Sequence, residues 1–210
     1  MPKPALAPSR RQISPTGGRR PLLEPIWWPI YDANTIAAAA SGDVDFFRDP
    51  TGTNSKTLVD TNMEKARSLA SPKLYYVFGI GAFADPNIAG PADPGDDEHS
   101  SIHGKQELAY LTAFEFSIGE KIYIDVPVVR MPSNYRLSGF VHYANDGAVN
   151  GSELVHAALV GKPYLITKHV LRIFPEQLFS GVLRINDTLA LDAATKLWIC
   201  LWGELHREVM

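Results

Sequence analysis

Apolar and polar residues alternate most clearly between residues 107 and 132. The alternation has a period of two, which is typical of half-buried β-strands, and it runs through two segments that meet at Gly119-Glu120. The large apolar residues at these positions are Leu108, Tyr110, Phe114, Phe116, Ile118, Ile122, Ile124, Val126 and Val128. Two such strands need an opposing apolar layer, so the pattern predicts a β-sandwich.

The connection between these two strands restricts how they pair. A two-residue turn would place Phe116 opposite Tyr123, and the apolar sets of the two strands would then point to opposite faces of one sheet. Two arrangements avoid this conflict. In the first, a longer loop with a bulge pairs Phe116 with Ile124. In the second, the two strands belong to facing sheets, and this is the arrangement that we favour.

The rest of the chain shows the same alternation in other segments. Residues 74–83 are almost continuously apolar, which predicts a strand buried on both faces. A short helix is predicted over residues 63–69, because Thr61 and Glu64 fit a capping box. Further strands are predicted at residues 35–40, 43–47, 135–143, 164–174, 182–185, 188–191 and 196–209.

Composition agrees with an all-β fold. The chain has 210 residues, and its sixteen glycines and sixteen prolines suit many strands joined by turns. We therefore predict that residues 35–210 form one all-β domain, a two-sheet β-sandwich with one or two short helices. Residues 1–34 are predicted to form an extended N-terminal arm.

The first twenty residues of this arm are basic. They carry five positive charges and no acidic residue, so with a net charge of −3 for the whole chain the other residues sum to −8. The basic residues are Lys3, Arg10, Arg11, Arg19 and Arg20. We expect them to contact other subunits or to face the interior of an assembly, where nucleic acid, an anionic membrane or an acidic neighbour would attract them. A disordered tail that only aids solubility is the alternative.

The arm ends in an aromatic segment. Trp27 and Trp28 lie between Pro25 and Pro29, and since proline disfavours helical geometry in the residue before it, the segment is predicted to be extended. Two adjacent indole rings need a groove to cover them. That groove belongs either to the core of this chain or to a neighbouring subunit.

Metal-binding patterns are weak. His99, His103 and Glu107 combine imidazole with carboxylate, which are ligands for zinc or iron, and they resemble the metal motif of the cupins. Cupins, however, separate the two histidines by one residue, and here three residues intervene. The acidic side chains of Asp93, Asp96, Asp97 and Glu98 match no calcium-loop spacing and predict a solvated loop. We predict no metal and no cofactor.

Other catalytic and targeting signals are missing from the sequence. Cys200 is the single cysteine, so no disulfide framework exists within the chain, and its apolar neighbours predict a buried structural thiol. No nucleophile elbow and no phosphate-binding glycine loop occurs. No apolar run reaches the roughly 20 residues of a membrane-spanning helix, and no secretory signal is visible. We expect a soluble protein that is not an enzyme.

Three segments resemble a known protein class. The sequences of residues 46–52, 56–63 and 201–209 are FFRDPTG, KTLVDTNM and LWGELHREV, and they resemble segments of the single jelly-roll capsid proteins of tailless icosahedral bacterial and archaeal viruses. The resemblance implies a sandwich of jelly-roll type with eight strands in two sheets, and many symmetric copies.

The resemblance also implies a function. It indicates a structural virion protein, a major capsid subunit that self-assembles into an icosahedral shell in the host cytoplasm. Its partners would be copies of itself and other virion proteins, with the genome or an internal membrane reached by the basic arm, and it would have no small-molecule substrate. A phage spike, fibre or carbohydrate-binding module is the alternative, which predicts an exposed aromatic groove. A cupin-like metalloenzyme ranks third and predicts bound metal.

Overall fold

A computed structural model describes residues 23–84, 108–131, 136–137, 157–158, 164–165, 170–191 and 194–208. Nearly all regular structure within these ranges is β-strand; helical geometry is confined to residues 108–110 and a 3₁₀ turn at Val128–Arg130. The strands are β1 Leu23–Trp27, β2 Ile30–Ile36, β3 Gly42–Phe46, β4 Leu74–Ala84, β5 Thr112–Ile118, β6 Lys121–Pro127, β7 Arg136–Leu137, β8 Ala157–Ala158, β9 Tyr164–Leu165, β10 Leu171–Ile173, β11 Phe179–Ile185 and β12 Thr195–Glu208. The predicted all-β class is confirmed.

Two antiparallel sheets contain all but two of these strands. A six-stranded sheet has the order β1-β12-β4-β10, with β2 also paired to β12 and β9 also paired to β4. A four-stranded sheet has the order β3-β11-β5-β6. Strands β7 and β8 pair with each other.

The first two strands act as one long edge strand along β12. Leu23 pairs with Glu208 and Ile36 pairs with Thr195, and the register does not change between them. The Trp28 amide bridges the two strands by donating to the Gly203 carbonyl oxygen at 3.1 Å. Since alternate residues direct their backbone groups at the partner strand, Pro25 and Pro29 face away from β12 and interrupt no bond of the ladder.

Sheet structure therefore begins before the predicted end of the arm. The predicted boundary between residues 34 and 35 falls within β2, and residues 23–34 belong to the six-stranded sheet. The physical reason is the pairing with β12, whose fourteen residues match the whole length of β1 and β2.

The pairing of the strands is nested along the chain. The first strands, β1 and β2, pair with the last, β12; β3 pairs with β11; β4 pairs with β9 and β10; and β5 pairs with β6. These pairs form one long antiparallel ribbon. Two further contacts, β12 with β4 and β11 with β5, close the ribbon into the two sheets.

One hydrophobic core joins the inner faces of both sheets. Tyr75 and Ile80 from the six-stranded sheet belong to the same buried cluster as Phe114 and Leu183 from the four-stranded sheet. Gly181 makes room for the aromatic part of this core, since a Cβ atom there would lie 2.7 Å from the Phe114 ring.

The hairpin between β5 and β6 contains the bulge that the sequence allowed. Phe116 pairs with Ile124 and Ser117 pairs with Ile122, so Tyr123 is the extra residue. The bulge and the pairing of Phe116 with Ile124 are confirmed, but the predicted longer loop is wrong, because Ile118 pairs with Lys121 across a two-residue turn. The facing-sheet arrangement that we favoured for these strands is also wrong. One extra residue at Tyr123 restores the common inward direction of Phe116 and Ile124, so no crossing between sheets is needed.

The helix predicted over residues 63–69 is wrong. The segment forms turns and bends, and Arg67 has a φ of 52°. The Arg67 amide donates to the Phe47 carbonyl oxygen and the Arg67 carbonyl oxygen accepts from the Phe179 amide, each at 2.8 Å. These bonds to residues far away in sequence replace the bonds that a helix would make within the segment.

Candidate interaction surface

The outer face of the six-stranded sheet is aromatic. In β12 the buried residues Leu197, Ile199 and Leu201 alternate with Trp198 and Trp202, which therefore project away from the core. Cross-strand partners share a face of the sheet, and this rule extends the aromatic set onto the neighbouring strands. We define the aromatic face as Trp27, Tyr31, Tyr76, Phe78, Phe83, Trp198 and Trp202.

The rings of this face contact one another across the strands. Trp27 of β1 stacks with Phe78 of β4, with ring centroids 6.0 Å apart and an interplanar angle of 3°. Phe83 and Trp202 meet edge to face, with centroids 6.5 Å apart. Such contacts between rings hold the side chains in fixed orientations. The rings thus form a preformed apolar layer, at whose border Trp27 is 62% exposed.

Charged side chains border this layer. The Arg172 guanidinium lies 5.4 Å from the centre of the Tyr76 ring, and the Lys196 amine lies 5.7 Å from the centre of the Trp198 ring. Near Tyr76, His206 Nε2 is 2.7 Å from Glu204 Oε1. An apolar centre with a polar rim is the usual anatomy of a protein interface.

The outer face of the four-stranded sheet has a different character. Arg184 forms ion pairs with Glu115 and Asp125, and the hydroxyl groups of Ser117 and Ser180 are 2.8 Å apart. These charged and hydroxyl groups suit contact with water. The two outer faces therefore differ, and the aromatic one is the candidate for binding.

The predicted site residues divide into two groups. Trp27 and Trp28 have the predicted extended geometry, and neither indole is buried, with exposures of 62% and 48%. Trp28 lines an open groove together with Ile30 and Met63. The basic residues of the arm lie outside the described residues, and so do the histidine, glutamate and acidic-loop positions of the two metal patterns. These positions are Lys3, Arg10, Arg11, Arg19, Arg20, Asp93, Asp96, Asp97, Glu98, His99, His103 and Glu107.

Cys200 is buried, as predicted, but it lies on the outer side of the sheet. It pairs with Tyr31 on one side and Gly81 on the other, and its side chain lies in the aromatic face between the two tryptophans of β12. Burial raises the pKa of this thiol to about 12, so it is protonated at neutral pH.

The described residues contain neither a group of metal ligands nor a membrane-spanning helix. In the ranges given above, no three histidine, cysteine or acidic side chains are grouped as metal ligands would be. The part of the chain that the structure describes also contains no helix with the length and apolarity needed to span a membrane. Comparison with protein-family models, curated proteins and solved structures finds no match to this chain.

Proposed function

We propose that this chain is a structural virion protein, a capsid subunit that self-assembles into an icosahedral shell. The aromatic face carries the proposal. Seven large rings share one outer sheet face, on which Trp27 is exposed and the other six are half-buried, and apolar patches at a protein surface usually mark contacts with other proteins. Aromatic residues are also the commonest centres of interface binding energy. Neighbouring copies would cover this face.

The nested strand order supports the jelly-roll type. A jelly roll is an antiparallel ribbon that rolls up so that its first and last strands pair at one end and its two middle strands pair at the other. In this chain β1 and β2 pair with β12 at one end of the ribbon and β5 pairs with β6 at the other. Symmetric repetition of one such subunit is the way in which a small protein forms a closed shell.

The basic arm would make the remaining contacts. Lys3, Arg10, Arg11, Arg19 and Arg20 oppose the negative charge of the body, so in a shell they would bind neighbouring copies, other virion proteins, the genome or an internal membrane. On this proposal the protein is located in the virion after assembly in the host cytoplasm. It is not an enzyme and has no small-molecule substrate.

One observation favours a second candidate, a carbohydrate-binding module. Trp27, Glu204, Tyr76 and Arg172 occupy consecutive strands in one cross-strand row on the outer face. Aromatic rings next to a carboxylate and a guanidinium can pack on the apolar face of a sugar while binding its hydroxyl groups. The Tyr76 ring already contacts Arg172 and His206, so Trp27, which stacks with Phe78 but is 62% exposed, would be the ring that packs on the sugar.

Substitution of Trp27 distinguishes the two functions. In the full-length protein, Trp27→Ser is expected to raise the critical concentration for assembly at least about tenfold, since a tryptophan side chain buried by a partner contributes roughly 2 kcal/mol. Sedimentation velocity would measure this. Circular dichroism should remain unchanged, because the ring is 62% exposed. The matched control is Ile122→Ser, which removes an apolar side chain, 51% exposed, from the outer side of the four-stranded sheet.

The second candidate predicts a different outcome. The wild-type protein would then sediment as a small oligomer at all concentrations, and it would bind saccharides on a glycan array through Trp27. Loss of that binding in Trp27→Ser, without any large assembly in the wild type, would contradict the capsid proposal.

A further inference from the structure

A second apolar feature adjoins the aromatic face. Residues 57–60 form a turn that presents Leu58 and Val59, which are 68% and 71% exposed. These are two of the most exposed large apolar side chains in the described part of the chain. We name the pair the apolar knob. Neither side chain belongs to the core of the subunit.

Two residues of the aromatic face, Tyr31 and Trp198, form hydrogen bonds with the backbone of the knob. The Tyr31 hydroxyl donates to the Leu58 carbonyl oxygen, and the Trp198 indole N–H donates to the Val59 carbonyl oxygen at 3.1 Å. The backbone carbonyl groups of Leu58 and Val59 thus both accept hydrogen bonds from aromatic side chains of this face. The knob is therefore fixed directly against the aromatic face.

Asp60 fixes the shape of the turn. One of its carboxylate oxygens accepts from the amide and the hydroxyl of Thr57 at 2.8 and 2.9 Å, and the other accepts from the Lys196 amine at 2.6 Å. The hydrogen bond from Lys196 and the bonds from Thr57 lower the pKa of Asp60 to about 2. The carboxylate therefore keeps its charge and these bonds throughout the neutral range.

The turn is also anchored at its start and end. The Lys56 amine forms an ion pair at 2.6 Å with Asp32, which is fully buried, and the backbone of Thr61 bridges to Asp32 in β2. Leu58 and Val59 are thus held in place while their side chains remain in water. A partner that binds them would lose little conformational entropy in the knob.

We infer that the apolar knob inserts into a second copy of this chain, as part of the contact that covers the aromatic face. The inference rests on the proposed function. Continuity of the two surfaces is the argument for this occupant: Trp198 and Tyr31 bind the backbone of the knob, so a copy that packs on these rings lies next to the exposed side chains of Leu58 and Val59. If the knob of one copy binds a different surface of the next copy, the contact is head-to-tail. Contacts of this type generate closed rings and shells.

The test uses the full-length protein with Leu58→Asp and Val59→Asp combined. The variant is expected to remain folded, because both side chains are exposed, and to raise the critical concentration for assembly by about 100-fold or more, since two carboxylates would be buried unpaired. Sedimentation velocity measures assembly, and circular dichroism measures folding. The matched control is Leu178→Asp, an exposed leucine in the loop before β11 whose exposure is 61%.

Each outcome separates this inference from the proposed function. A wild-type protein that never forms large assemblies overturns the proposed function and with it the knob. If the wild type assembles and the double variant assembles equally well, or if Leu178→Asp is as harmful, the knob inference alone fails. A photo-crosslinking residue at position 58 gives a second readout that does not depend on folding of the aspartate variant. It should crosslink to a neighbouring copy in the assembly, and the lack of such crosslinks would overturn the inference.

Discussion

Replacement of Gly203 by alanine is expected to unfold the protein or make it insoluble. A Cβ atom at position 203 would lie 2.0 Å from the carbonyl oxygen of Tyr76 and 2.8 Å from the Tyr75 ring. The nearest atom belongs to the backbone of β4, which β12 and β10 hold from both sides, so it cannot move aside. Overpacking of a rigid core costs about 1–3 kcal/mol, and a backbone clash exceeds that range. Urea unfolding of any soluble fraction would measure the loss.

Gly81→Ala is the matched control for this prediction. Gly81 lies in β4 beside β12, and a Cβ atom there would meet the end of the Phe83 ring at 3.3 Å and the Trp202 indole nitrogen at 3.5 Å, with no backbone atom among these contacts. A cost of about 1 kcal/mol or less is expected, because a ring can rotate by a few degrees. Equal stability of the two alanine variants would contradict the close approach of Gly203 in β12 to the Tyr76 backbone in β4.

Lys56→Met should have the second-largest effect on stability. The carboxylate of Asp32 is fully buried, and Lys56 is its ion-pair partner at 2.6 Å. Removal of one member of a buried pair leaves an uncompensated charge, which costs about 3–5 kcal/mol. Urea unfolding at pH 8 would measure this cost.

The loss in Lys56→Met should depend on pH. Burial raises the pKa of Asp32, while the bonds from Lys56, Phe47 and Thr61 oppose that shift. Without Lys56, less positive charge stabilises the Asp32 carboxylate, so the pKa of Asp32 in the folded state lies further above its unfolded value. A carboxyl group whose pKa is higher in the folded than in the unfolded state destabilises the fold progressively as the pH rises from the unfolded pKa to the folded pKa. The variant is therefore expected to be closest to wild type near pH 4 and furthest from it at pH 8.

A double variant serves as the control. Asp32→Asn removes the charge but keeps an oxygen that can accept from the Phe47 amide, as Asp32 does at 2.6 Å. Combined with Lys56→Met, it should recover about half of the lost stability and should abolish the pH dependence. A cost below about 1 kcal/mol for Lys56→Met alone would show that the pair is not buried in solution.

The sequence pattern predicted the strands that have strong alternation. Residues 74–83 and 196–209 correspond closely to β4 and β12, and the alternating segments around Gly119 correspond to β5 and β6. Alternation identifies which side chains share a face, but it does not determine which strands pair. For that reason the sequence is compatible both with a bulged hairpin and with strands in facing sheets. The observed pairing of β5 with β6, with its bulge at Tyr123, distinguishes the two arrangements.

Local sequence signals for a helix are less reliable where backbone groups distant in sequence compete for the same hydrogen bonds. Thr61 and Glu64 fit a capping box, yet Arg67 bonds to Phe47 and Phe179 instead of continuing a helix. A capping box stabilises a helix end by roughly 1 kcal/mol, which two backbone bonds, one to Phe47 just after β3 and one to Phe179 in β11, can outweigh. The sequence carried no sign of this competition.

The aromatic face could be predicted in part. Trp198 and Trp202 alternate with inward residues in the sequence. Residues 74–83 are predicted to be buried on both faces, but in β4 one face is buried and the large side chains of the other face are half-buried. Which side meets solvent depends on the order of the strands, which the pattern does not contain. The sequence did not indicate the apolar knob, because the position of Leu58 and Val59 depends on a turn whose backbone is bound by Tyr31 and Trp198, which are distant in sequence.

Electron cryomicroscopy of the purified full-length protein tests the capsid proposal most directly. Closed shells are expected, in which the aromatic face of each copy is covered by a neighbour and Trp27 lies within the contact. Monomers or small discrete oligomers that leave this face in solvent would contradict the proposal.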